Sequence, residues 1–136
     1  VSPKGSGDVT NSHLKWHAKR NGGRDLPSPV MLKDLVLVTS MSGIITCYDA
    51  KSGKTHWIDR LKGAFSGSPI VSDNYYYIQS ESGTTYVIKP NKDGLKVISE
   101  NQLSSNLEEI FRATLSPIEG KIYTRSNSQL YCISSN

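Results

Sequence analysis

The chain holds only two cysteines, Cys47 and Cys132, and two tryptophans, Trp16 and Trp57, among 136 residues. Neither cysteine stands in a CxxC or Cys-x-His spacing, so the pattern offers neither a zinc cradle nor a redox dithiol. No apolar run approaches the roughly 18 residues of a membrane-spanning helix, and no signal-peptide pattern opens the chain. The first residue is Val rather than Met, so a mature form or an excerpt of a longer protein is expected. Heptads and long amphipathic helices are missing; only Asn106 to Arg112 reads as a single helical turn. Hydrophobic residues make up 36% of the chain, few for one deep core, which favours apolar layers spread between several sheets. An excess of one charge is confined to the start. Residues 1–24 carry Lys4, Lys15, Lys19, Arg20 and Arg24 against Asp8, whereas residues 25–136 hold 11 basic and 11 acidic side chains. No aromatic-basic cluster accompanies this arm, so it reads as a solvated edge whose cations discourage edge pairing, and not as a nucleic-acid contact.

What the chain does have is repetition. Leu26-Pro27-Ser28-Pro29-Val30 recurs as Ser66-Gly67-Ser68-Pro69-Ile70, and more weakly as Thr114-Leu115-Ser116-Pro117-Ile118. Each copy leads into a short strand-like run at Leu35–Thr39, Tyr75–Gln79 or Lys121–Arg125. A turn follows (Ser42-Gly43, Ser82-Gly83, Asn127-Ser128) and then a third run at 44–48, 84–88 or 129–133. The Ser-Pro spacings are 40 and 48 residues, the second stretched by the polar insert Gln102–Glu109. Periods of about 40 to 50 residues with four strands each mark propeller blades. The best-formed hairpin is Cys47-Tyr48-Asp49-Ala50-Lys51-Ser52-Gly53-Lys54-Thr55-His56-Trp57. Asp49 suits its turn because the carboxylate can accept from backbone two residues on, and Gly53 because it takes positive φ freely.

These residues resemble the repeat of quinoprotein-like (PQQ-like) β-propellers: the Ser-Pro-Val/Ile strand, the Ser-Gly turn, and Tyr48-Asp49-Ala50-Lys51-Ser52-Gly53-Lys54 followed by Trp57. In the second repeat Lys89-Pro90-Asn91-Lys92-Asp93-Gly94 replaces the turn and no tryptophan follows. The resemblance implies an all-β propeller of four-stranded blades, a bacterial and periplasmic or extracellular protein, and either an assembly scaffold or a dehydrogenase using pyrroloquinoline quinone. A blade is expected over 27–60, a second over 66–100 and a partial third over 110–136, whose inner strand is placed at 111–116. The segment 13–19 alternates apolar and polar residues and carries Trp16, so it is expected as an outer strand completing the third blade. Three blades do not close a ring. The chain is therefore either part of a longer propeller or half of a six-bladed ring made with a second copy.

For chemistry the sequence offers little. Cys47 and Cys132 occupy matching third strands two blades apart, too far for a disulfide, and read as small apolar residues. His13 and His17 find no third metal ligand, and His56 reads as exposed on an outer strand. Ser66-Gly67-Ser68 and Ser40–Gly43 lack the strand-to-helix context of a nucleophile elbow. The dehydrogenases of the resembled family need a vicinal Cys-Cys pair in many members, a carboxylate cluster for Ca²⁺, and a central tryptophan beneath the quinone; Trp16 and Trp57 read instead as blade-packing residues. The expectation is no catalytic, cofactor or metal residue and no bound cofactor. The leading reading is a non-catalytic scaffold that meets another protein or a second copy of itself. The alternatives are a quinoprotein oxidoreductase fragment and a carbohydrate-binding propeller using Tyr75, Tyr76 and Tyr77.

Overall fold

The computed structural model describes residues 5–19 and 25–134. Three antiparallel sheets follow one another along the chain. The first consists of β1 (Val30–Leu32), β2 (Leu35–Thr39), β3 (Ile44–Asp49) and β4 (Thr55–Arg60), in that spatial order. The second repeats it with β5 (Ile70–Ser72), β6 (Tyr75–Gln79), β7 (Thr84–Pro90) and β8 (Leu95–Gln102). The third has three strands, β9 (Ser116–Ile118), β10 (Lys121–Arg125) and β11 (Leu130–Ser134). These are propeller blades, each strand feeding its neighbour through a tight turn.

Turn chemistry sets the register. The inner hairpins turn through Lys33-Asp34, Asp73-Asn74 and Glu119-Gly120, and the last two pairs have positive φ at both positions. That is the type I′ geometry whose twist matches paired strands. In the outer turn of the first blade, Asp49 Oδ1 accepts from the Lys51 and Ser52 amides at 3.1 and 2.8 Å. Gly53 there has φ 71°. Asn91 does the same work in the second blade, accepting from Asp93 and Gly94. Each outer strand carries one bulged residue, His56 in β4 opposite Cys47/Tyr48 and Ile98 in β8 opposite Val87/Ile88.

Three expectations are corrected. Segment 13–19 contains no strand: α1 is one turn, Thr10–His13, and residues 14–19 pair with nothing as a ladder. Alternation is a local signal, but a strand exists only where a partner accepts its hydrogen bonds. Among the described residues, β11 pairs with β10 alone. Second, the third blade is offset by 46 residues from the second, not 48. Pro117 faces Ile122 where Val71 faces Tyr76, and the amide of Ser68 donates to Thr114 Oγ1 as that of Ser28 donates to Ser68 Oγ. The inner strand accordingly lies at Ser116–Ile118, not 111–116, and Leu115 is the buried counterpart of Pro69. Third, Asn106 to Arg112 holds a turn closed by the Glu109 amide on the Asn106 carbonyl, and no helix.

The main apolar core lies between the first two blades. Leu35, Leu37, Ile45 and Cys47 face Tyr76, Ile78, Tyr86 and Ile88, with Leu61 and Phe65 of the linker closing one end. Trp57, Leu95 and Val97 of the outer strands seal the other side. The seam between the second and third blades is more polar. Buried Gln79 donates to Thr85 Oγ1 and accepts from Thr124 Oγ1 at 2.7 Å.

Candidate functional site

One rim of the molecule is built from the β2–β3, β6–β7 and β10–β11 turns and the linkers that cross them. The turns share a Ser-x-Ser pattern. Ser40, Ser80 and Ser126 each accept, through Oγ, an amide from the far side of their own turn. A phenylalanine from each linker lies across the glycine of the preceding turn: the Phe65 amide donates to the Met41 carbonyl and that of Phe111 to the Glu81 carbonyl. Phe65 then packs 6.0 Å from Tyr86 and Phe111 5.6 Å from Tyr131. This repeated glycine–phenylalanine–tyrosine latch was not anticipated from the sequence. Its available signal was that the only two phenylalanines stand 46 residues apart, the true blade offset.

The rim also gathers two carboxylates. Glu81 accepts from Ser66 Oγ and lies 3.6 Å from Arg112 Nε. Glu109 is 6% exposed and accepts from Ser126 Oγ at 2.6 Å and from the Tyr131 hydroxyl at 2.7 and 2.8 Å. The hydroxyls of Ser104, Ser126 and Tyr131 hold its carboxyl down at about 2. The same contact pushes the Tyr131 phenol up. A carboxylate so fully engaged has no proton to exchange near neutrality, so its role is to order the third blade. With a folded pKa below the ordinary value of 4.5, it contributes stability above that value and loses it as pH falls through about 2. Thermal unfolding of Glu109→Gln should therefore show a lower midpoint than the parent at pH 7, with the gap closing between pH 4.5 and 2. Parallel curves across that window would refute the assignment.

The other residues that the sequence singles out are scattered. Cys47 is fully buried and its thiol is pushed up to about 11 by burial, whereas Cys132 is exposed on the matching strand of the third blade. His13 ends α1 against Ser12 Oγ at 2.6 Å. His56 is only partly exposed, which corrects the expectation of a solvated side chain; its Nε2 lies 3.8 Å from Asp49 Oδ2. Among the described residues, no three His, Cys, Asp or Glu side chains converge as a metal site. Tyr76 is 1% exposed and hydrogen-bonds Thr39 between blades, so it presents no sugar-stacking face. Tyr75 and Tyr77 share the opposite face, 6.5 Å apart.

The tryptophans behave as a matched pair. Trp57, on β4 opposite Cys47, donates its indole N–H to the Asn91 carbonyl of the next blade at 2.7 Å. Trp16 donates to the Ala50 carbonyl of the first blade at 2.9 Å, again 34 residues ahead, and stacks on Tyr48 with Gly53 beneath its ring. Trp16 thus occupies, on the first blade, the place that an outer strand of a preceding blade would supply.

The family profile described as "Outer membrane protein assembly factor BamB" matches residues 6–135. The chain belongs to this PQQ-repeat family. Among solved structures it is similar to BamB from Moraxella catarrhalis, with 21% identity and a TM-score of 0.65, over 81% of this chain and 33% of that one. It is also similar to the quinohemoprotein alcohol dehydrogenases ADHIIG of Pseudomonas putida HK5 (13%, TM-score 0.60) and of Comamonas testosteroni (12%, 0.61). The two dehydrogenase alignments cover 73% and 77% of this chain but 16% and 17% of those proteins. At these identities the likeness shows the shared β-propeller fold. The chain spans about a third of the BamB structure. No curated protein matches it. No helix among the described residues is long and apolar enough to cross a membrane.

Proposed function

We propose that this chain is a non-catalytic β-propeller scaffold that meets another protein through its rim of Ser-x-Ser turns, in the periplasm or outside the cell, and that closes its ring with a second copy. The observation that carries the reading is a pair of half-built seams. Trp16 sits as the outer-strand tryptophan of a blade preceding the first. At the opposite end, β11 has an unpaired edge among the described residues. Two copies joined head to tail would satisfy both seams twice and give six blades, within the range in which propellers close. The engagement of Glu109 and Glu81 by neighbouring hydroxyls supports structural rather than chemical use of the rim. The family's description as an assembly factor supports protein recognition and a periplasmic setting.

Light scattering on the isolated chain at micromolar concentration should return twice the 15.0 kDa chain mass. A single-chain mass would remove the ring and leave a propeller segment whose other blades lie in a longer polypeptide. The dehydrogenase likeness favours a second reading, an oxidoreductase segment; dye reduction on adding pyrroloquinoline quinone and Ca²⁺ would replace the scaffold reading with that one.

A further inference from the structure

The seam between the second and third blades contains a cavity of about 260 Å³ lined mainly by Tyr77, Val87, Leu115, Ile122 and Ile133, with the end of β8 on one side. The matching place between the first two blades is filled. There β8 runs beside β7, Val97 opposite Ile88 and Leu95 opposite Pro90, and both apolar side chains pack onto the core. Ile133 is the counterpart of Ile88, since Ile122 faces Ile133 as Tyr76 faces Ile88. Among the described residues β11 therefore has an unpaired edge and, beside it, an apolar hole; between the first two blades Tyr76, the counterpart of Ile122, and the outer-strand residue Leu95 fill that place. An extended segment that pairs with such an edge gains ladder hydrogen bonds, and specificity comes from pockets for its alternate side chains.

The pattern of the first two blades fixes what such a segment must carry. Trp57 lies opposite Cys47, and because of the bulge Thr55 comes next, opposite Tyr48. Cys132 is the counterpart of Cys47, each facing the central strand at Tyr123 and Leu37. With Trp16 as the counterpart of Trp57, two residues earlier stands Leu14, which is 51% exposed in the single chain. We propose that β11 takes residues 14–18 of a second copy as an antiparallel fourth strand, with Trp16 opposite Cys132 and Leu14 opposite Ile133, its side chain filling the cavity. The inference rests on the ring reading above and adds to it the register and the plug. Trp16 keeps its bond to Ala50 of its own chain in this arrangement, just as Trp57 pairs with one blade and docks on the next. Ala18 then falls opposite Leu130, as Asp59 falls opposite Ile45.

The test uses the whole chain with Cys132→Ser, adding Ala18→Cys and Leu130→Cys. Facing pairs on adjacent strands bring Cβ atoms about 4.5–5.5 Å apart, close enough for a disulfide after small adjustment. Mild oxidation should link two copies through 18 and 130 at least about ten-fold faster than the shifted pair Lys19→Cys with Leu130→Cys. In the otherwise unaltered chain, Leu14→Asp should weaken self-association about 10- to 100-fold, the loss expected for one buried leucine. It should leave the circular dichroism of the single chain unchanged. A doubled mass with faster linkage of the shifted pair would overturn the register and leave the ring. A doubled mass indifferent to Leu14→Asp would overturn the plug. A single-chain mass would overturn both.

Discussion

Replacing Phe65 by Ala is expected to cost about 3–5 kcal/mol, a large share of the roughly 5–15 kcal/mol that holds a domain together. Phe65 has no exposed surface and joins three things at once. Its amide holds the β2–β3 turn at Met41, its ring lies on Gly43, and it packs against Tyr86 across the seam. Truncation leaves a hole where two blades and a linker meet. The hole cannot collapse easily, because Leu61 beside it is tied by its amide to the Gly43 carbonyl. Phe111→Ala removes the same latch one blade later, but at the more polar seam, where buried Gln79 bonds Thr85 and Thr124 and less apolar packing depends on the ring. Its cost should be smaller. The thermal midpoint should fall by about 10 °C or more for Phe65→Ala, from the usual few degrees per kcal/mol. A shift of a degree or two, or a larger effect for Phe111→Ala, would show that the linkers do not clamp the blades.

Much of this architecture was legible in the sequence because blade geometry is encoded locally. Asp49 and Gly53 announce a turn by their own chemistry, and the structure shows each doing what that chemistry allows. Strand alternation separates Tyr76 from Tyr75 and Tyr77, and Tyr76 indeed faces the first blade. Where two local signals competed, the more visible one misled. Ser116-Pro117 looked like the earlier Ser-Pro copies, but Glu119-Gly120 takes the hairpin geometry of Asp73-Asn74 and sets the register two residues away. A proline ring accepts either place in a short inner strand, whereas a two-residue turn does not slide. Segment 13–19 failed for a different reason: its alternation is real, but no strand among the described residues of one chain pairs with it. The Glu109 cluster was invisible because its partners come from positions up to 22 residues away, with no periodic trace. In the second blade Gly63 stands where Glu109 stands in the third, so even the repeat conceals it.

Gly43→Ala tests the same clamp from the turn side, with a sharper geometric argument. Gly43 has φ +81°, a conformation that costs an L side chain roughly 1–2 kcal/mol before any contact is counted. A Cβ there would also collide with the Leu61 carbonyl oxygen and press on Phe65 Cε2 at 3.0 Å. The carbonyl is backbone and cannot rotate away, so the linker must lift and the Leu61–Gly43 hydrogen bond must stretch. About 3 kcal/mol in total is expected, combining the φ penalty with the strain of moving the linker. Gly83 has a similar φ of +85°, but its Cβ would meet the Phe111 ring at 2.7 Å, the far end of a side chain and not a backbone carbonyl. Its cost should lie nearer the φ penalty alone. Gly94, with open space around it and no positive φ, should be neutral or slightly stabilising as Ala, because the unfolded chain loses freedom. Urea unfolding of the three variants should rank them Gly43, Gly83, Gly94 from most to least damaging. If Gly43→Ala unfolds at the same urea concentration as Gly94→Ala, the linker does not rest on this turn, and the latch between blades is not what holds them in line.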